Sequence, residues 1–107
     1  MILFNKYIVP KGFVGITLFP FIFLKCYSLK DDSILLNHEQ IHLTQQKELL
    51  VVFFYMWYGI EYLVRLFQYR NRREAYRNVS FEREAYNNET NLEYIKKRPI
   101  WAFLKYV

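Results

Sequence analysis

The sequence predicts an α+β fold, mostly helical, forming one domain over residues 1–107 with a small β-hairpin or sheet near the N-terminus. Three observations predict it. Residues 2–25 are rich in Ile, Val, Phe, Tyr and Leu, with Pro10 and Gly12 as punctuation, a pattern of short strands. From Ile34 to Tyr69 there is no proline and one glycine, Gly59, which reads as helix. Proline is then absent until Pro99, so more helix follows.

Composition agrees with a packed core. Hydrophobic residues make up 53% and aromatics 21%, with only three Gly and three Pro, which excludes a low-complexity or disordered chain. The net charge of +5 suits acidic partners, an anionic membrane surface or nucleic acid without choosing among them. Cys26 is the only cysteine, so no internal disulfide holds the fold. MILFNKYIVPKGF lacks a basic start followed by an apolar run and a small-residue cleavage site. It reads as structure, and the expected location is the cytoplasm or the cytoplasmic face of a membrane. The sequons at Asn78 and Asn88 carry no weight without export.

Taken in order, residues 2–9 and 13–25 are expected to be two strands, a hairpin across Pro10 and Gly12. Pro20 demotes the second run to an edge or bulged strand, and such an edge beside a site can pair with an extended peptide. Asp31, Asp32 and Ser33 supply caps and first-turn acids for a helix beginning near Ile34. Asn71–Glu89 reads as a second helix and Asn91–Val107 as a helical tail interrupted at Pro99. Within the first helical stretch, Leu49–Ile60 is uncharged before Glu61 and Arg65 intervene. That run is short of the ~20 apolar residues of a span, so a core helix, or contact with a membrane surface, is expected.

The chain's two histidines stand in LNHEQIHLTQQ, as His38 and His42. Four positions apart on a helix, both imidazoles can reach one ion. A catalytic zinc takes three protein ligands and leaves one position for water, whose pKa falls to about 7. Glu39 lies ~100° around the helix from His38, offset from the ion toward that water, where it can act as general base.

The third ligand must come from RREAYRNVSFEREAYNNE, residues 72–89. Ala75, Val79, Glu82 and Tyr86 form one stripe, and a carboxylate within an apolar stripe needs a metal or an ion pair. Glu82 is the candidate, Glu89 the reserve, and a buried Glu82–Arg pair the structural alternative. Glu84 falls about 160° from Glu82, on the expected solvated face. Bringing Glu82 back to His42 requires the long helix to break, because a straight run to Tyr69 leads ~40 Å away. The break is expected at Gly59 or within Thr44–Glu48.

HEQIH at 38–42 followed by EREAY at 82–86 resembles the gluzincin metallopeptidases, which use the histidines of HExxH and a glutamate from a downstream helix. The likeness is closer to the catalytic cores of membrane-linked gluzincins, of the CAAX prenyl endopeptidase and β-lactam-sensor types, and in length to the minigluzincins. It covers roughly residues 33–90. The resemblance implies a zincin-like fold, one Zn2+ held by His38, His42 and Glu82, Glu39 as base, and a peptide or protein substrate. Tyr86 stands where the pattern often has an aspartate that orients a ligand histidine, so its hydroxyl is expected to accept an imidazole N–H.

Two rival readings accompany the peptidase. One is a zinc-binding but idle or self-inhibited interaction module, with the aromatic tail RPIWAFLKYV lying across the cleft. The other is a basic, aromatic nucleic-acid or membrane-surface binder resting on YRNRREAYRN and the +5 charge; no nucleic acid is expected, since such runs are usually solvated helix faces.

Overall fold

The computed structural model describes residues 2–107, and the fold is α+β and mostly helical. Strands β1 (Ile2–Phe4), β2 (Gly15–Leu18) and β3 (Phe21–Leu24) form a sheet in the order β1–β3–β2. The hairpin lies inside the second apolar run, not between the two runs. β2 and β3 pair antiparallel with Leu18 opposite Phe21, and Phe19-Pro20, a cis pair, makes the turn. A turn is where a residue without an N–H costs a ladder least. β1 runs parallel to β3. β2 is thus an edge strand but β3 is central, so the run expected as a single edge or bulged strand is two strands with Pro20 in the turn between them.

Helix α1 (Ser33–Glu48) begins at its expected cap, with the Asp32 carboxylate accepting the Leu35 N–H at 3.0 Å. Helix α2 (Val52–Tyr69) leaves it at 112°. The turn falls just after the Thr44–Glu48 option, at Leu49–Val51, while Gly59 stays inside α2. No glycine or proline makes the bend. Instead Leu50 and Val51 take φ of 55° and 49°, a region that costs L-residues energy. Val51 N–H donates back to the Gln46 carbonyl at 2.8 Å and closes α1.

The stretch expected as one helix over 71–89 is two, α3 (Arg72–Arg77) and α4 (Ser80–Asn88). Asn71 caps α3 through the Glu74 N–H. The first turn of α4 is capped from another helix: Glu61 of α2 accepts both the N–H and the hydroxyl of Ser80 at 2.6 Å. That carboxylate fixes where α4 starts, and so where Glu82 stands. Among the described residues no single helix is long and apolar enough to cross a membrane.

Helix α5 (Tyr94–Lys97) and a 3-10 turn at Ala102–Tyr106 complete the chain. The tail does not cross a cleft. Phe103 is buried against Phe81, with ring centroids 4.6 Å apart, in a core shared with Phe54 and Val79. Burying an aromatic of this size is worth several times a surface contact, so the tail is drawn into the core instead of over the site.

Candidate metal centre

Helix α1 brings His38 and His42 to one side, one turn apart, and α4 brings Glu82 to meet them. The His42 Nε2 lies 3.2 Å from the His38 Nε2 and 3.0 Å from the Glu82 Oε1, and the His38 Nε2 lies 3.3 Å from that same oxygen. All three residues are buried. A buried His38, His42 and Glu82 group of this kind could hold a metal ion. The fit can be tested against geometry: four ligands tetrahedral around zinc at ~2.0–2.1 Å stand about 3.3 Å apart. The observed triangle is that size.

Donor chemistry makes the same demand. The His38 Nδ1 lies 2.7 Å from the Glu89 Oε2, and the His42 Nδ1 lies 2.8 Å from the Gln45 Oε1. Gln45 turns its NH2 to the Phe81 carbonyl and the Glu84 carboxylate, so its oxygen is the atom left for His42. Both Nδ1 atoms therefore donate, and both Nε2 lone pairs face one carboxylate oxygen. Three such donors at contact distance repel unless a cation, or a proton, lies among them. Without a metal the proton takes that part. Burial works against charge on His42, but Glu82 beside it, with Glu39 and Gln45, raises it to about 9. Glu82 is held well below the ordinary carboxylate range by the two imidazoles, against the opposing effect of burial.

Glu39 stands next to this group but is not part of it. The Thr17 hydroxyl lies 2.8 Å from its Oε1, and among the described residues Oε2 has no hydrogen-bond partner. Glu39 lines a cavity of about 300 Å³ together with His42, Glu82 and β2. Most of the other walls are apolar or aromatic, including Phe13, Ile16, Phe54, Tyr55 and Tyr76. At Gly15 a Cβ would crowd a Leu24 methyl at 3.2 Å and reach ordinary contact with the Glu39 carboxyl carbon at 3.6 Å. The Gln46 side chain ties α1 to the hairpin through the Thr17 carbonyl and the Phe19 N–H.

Tyr86 does not take the part expected of it. Its ring packs on His38 with centroids 4.5 Å apart, but its hydroxyl points to Tyr76 at 3.4 Å. The phenol is too long to stop at the imidazole and passes it, so Glu89, at the end of α4, receives the His38 N–H. The reserve ligand is thus an orienting group. Glu84, expected in solvent, is fully buried. Arg98 pairs with it, and Tyr94 and Gln45 donate to it. The C-terminal segment covers the second face of α4, so both faces of that helix are interior. A buried Glu–Arg pair does occur, at Glu84 and not at Glu82.

Tyr58 was not singled out from the sequence. Its hydroxyl donates to the Glu82 Oε2 at 2.8 Å, leaving Oε1 for the imidazoles. Burial, reinforced by Glu82, pushes the phenol's pKa up, so it stays protonated and remains a donor. No local signal in α2 marks a residue that meets Glu82 only after the chain reverses. Gln45 had one: it lies three residues after His42 on the same helix.

No family model, no curated protein and no solved structure matches this chain.

Proposed function

We propose that this chain is a zinc-dependent peptidase of the gluzincin type, with His38, His42 and Glu82 as the zinc ligands and Glu39 as general base. The observation that carries the reading is the position of Glu39: one free carboxylate oxygen, beside a three-donor cation site, on the wall of a cavity. A purely structural zinc site is usually closed by four protein ligands, whereas three donors gather here.

When bound, zinc supplies a Lewis acid and a water acidified to near-neutral pKa. The protein does the rest. Thr17 holds Glu39 Oε1 so that Oε2 accepts a proton from the attacking water and delivers it to the departing amine. Gln45 and Glu89 hold the imidazoles by their N–H groups, and Tyr58 holds the far oxygen of Glu82. The substrate is expected to lie extended along β2. All four β2 residues stand opposite β3, but Lys25 N–H donates to the Val14 carbonyl, and the antiparallel alternation from there points the backbone groups of Ile16 and Leu18 at β3 and those of Gly15 and Thr17 at the open edge. The Thr17 carbonyl is already engaged by Gln46, which leaves Gly15 as the pairing residue nearest Glu39.

The test is metal analysis of the purified chain beside Glu39→Gln in a casein-type proteolysis assay. We expect about one zinc per chain in both proteins and activity lower by roughly 10²–10⁴ in the variant. Zinc in both with activity in neither would instead favour an idle binding module. Absence of bound metal from a folded protein would remove the reading altogether.

A further inference from the structure

Helix α2 is packed along one side, and on its outer side, among the described residues, the C-terminal segment reaches only Trp57, through Phe103, and the border of a groove at Val107. Phe54, Tyr58 and Glu61 face the core, while Phe53, Met56, Ile60, Leu63, Val64 and Phe67 repeat at spacings of three and four along the other side. Each of these is more than half exposed, Phe67 as much as 86%. Scattered exposed apolar residues need no explanation, but a continuous stripe along an 18-residue helix does.

Charge around the stripe selects an occupant. Between Glu48 and Glu74 the only acid is Glu61, and it is buried with its carboxylate on Ser80. Arg70, Arg72 and Arg73 are exposed and follow directly on the last turn of α2. The region thus offers an apolar stripe and, at its end, three exposed guanidiniums with no ion-pair partner among the described residues, against a single exposed carboxylate, Glu74. A second copy of the chain placed on this face brings the same three arginines against one acid, Glu74, which leaves most of the positive charge uncompensated. An anionic bilayer supplies both the apolar layer and the negative headgroups.

We propose that α2 lies in the plane of an anionic lipid bilayer, with its stripe at the headgroup–acyl boundary and Arg70, Arg72 and Arg73 on lipid phosphates. Tyr55 links this surface to the metal centre: it is 42% exposed, sits beside Met56, lines the cavity and donates to the Thr17 carbonyl. Docking therefore sets the cavity next to the lipid surface. The inference does not depend on peptidase activity and stands or falls separately from it.

The test is flotation of the full chain with phosphatidylcholine vesicles, with and without one-third phosphatidylglycerol, for wild type and two variants. Wild type is expected to float with the anionic vesicles and to be released by salt. Ile60→Glu with Phe67→Glu should weaken partition at least about tenfold. Arg70→Gln, Arg72→Gln and Arg73→Gln together should weaken it by roughly fivefold per arginine on anionic vesicles only. Circular dichroism melts and zinc content establish that each variant is folded. Failure of the wild type to float with either vesicle overturns the proposal, and so does flotation untouched by both variants. A concentration-dependent dimer that Ile60→Glu and Phe67→Glu dissociate, without vesicle binding, would assign the face to a second copy and overturn it equally.

Discussion

Helices α1 and α2 are joined by three residues and invert each other's chemistry. Helix α1 buries Asn37, His38, Glu39, His42, Gln45 and Gln46, with Ile41 the only apolar residue among its buried positions. Helix α2 buries Phe54 and Glu61 and leaves a row of large apolar side chains outside. Burying six polar groups on one helix is costly unless each is partnered. Here each is: Asn37 donates to the backbone carbonyls of 88, 89 and 91, Gln46 to β2, and the histidines to Glu89 and Gln45. A helix that accepts this cost is organised around a site, and one that exposes its apolar side is organised around a surface. The comparison can be broken at several points.

The largest expected effect is in the buried network that supports α1 from behind. Arg98 pairs with Glu84 and Glu48, and among the described residues its N–H groups are the only cationic partners of a fully buried Glu84. Arg98→Met leaves that charge stranded and should cost about 3–5 kcal/mol, read as a shift in urea midpoint. Arg98→Met combined with Glu84→Gln should recover much of the loss. If Arg98→Met is neutral, the polar interior is not a cooperative network.

Next comes pH. His42 is raised from 6.5 to about 9 in the metal-free site, so it contributes stability fully below pH ~6.5, and that contribution is lost as pH rises through ~9. Glu82 is depressed, so its contribution is present above the ordinary carboxylate range and lost in acid. Metal-free protein should thus be most stable between pH ~4.5 and ~6.5 and lose up to about 3 kcal/mol toward pH 9. With zinc the trend reverses, because the ion displaces the His42 proton and binds more tightly as pH rises. Urea melts at both ends of that range, with chelator and with zinc, check the sign. Equal slopes in the two conditions would mean that the triangle holds no ion.

A smaller effect separates the two candidates for orienting His38. Glu89→Gln should lower zinc affinity by about ten- to a hundredfold, the range for a lost partner behind a ligand histidine, whereas Tyr86→Phe, which keeps the ring on His38, should change it little. Competition with a chromophoric chelator measures both. The opposite ranking would restore the tyrosine that the sequence pattern suggested.

The spacing of His38, Glu39 and His42 was legible because helical periodicity fixes it locally, and the Asp32 cap was legible for the same reason. Glu82 was reached through a stripe drawn on one continuous helix, which the structure breaks at Asn78-Val79, and Pro20 marked the turn and not an edge strand. What was not legible depends on packing between distant segments. Glu84 looked solvated because helical angles describe one helix, and nothing in residues 72–89 records that Arg98 and Tyr94 return to cover its other side. The split at Asn78-Val79 depends on Glu61, nearly twenty residues earlier. Thr17 meets Glu39 across 22 positions of sequence, and Tyr58 meets Glu82 across 24. The site's ligands are written in short-range spacing, and its supporting residues are written in tertiary structure.

The bend itself gives the smallest and sharpest test of the comparison. Gly59 was a predicted break on propensity alone, yet it sits inside α2, where a Cβ would meet nothing within 4 Å. Its φ is not in the left-handed region, which is occupied instead by Leu50 and Val51. The chain turns by 112° at the residues that fit a turn least well, so tertiary contacts and not local preference must hold the corner: Gln46 and Tyr55 both grip the Thr17 carbonyl from either side of it. Gly59→Ala should therefore stabilise the protein by about 0.5–1 kcal/mol, through helix propensity and a less flexible unfolded chain. A destabilisation of that size in a thermal melt would show that α2 needs the conformational freedom or the missing side chain of Gly59.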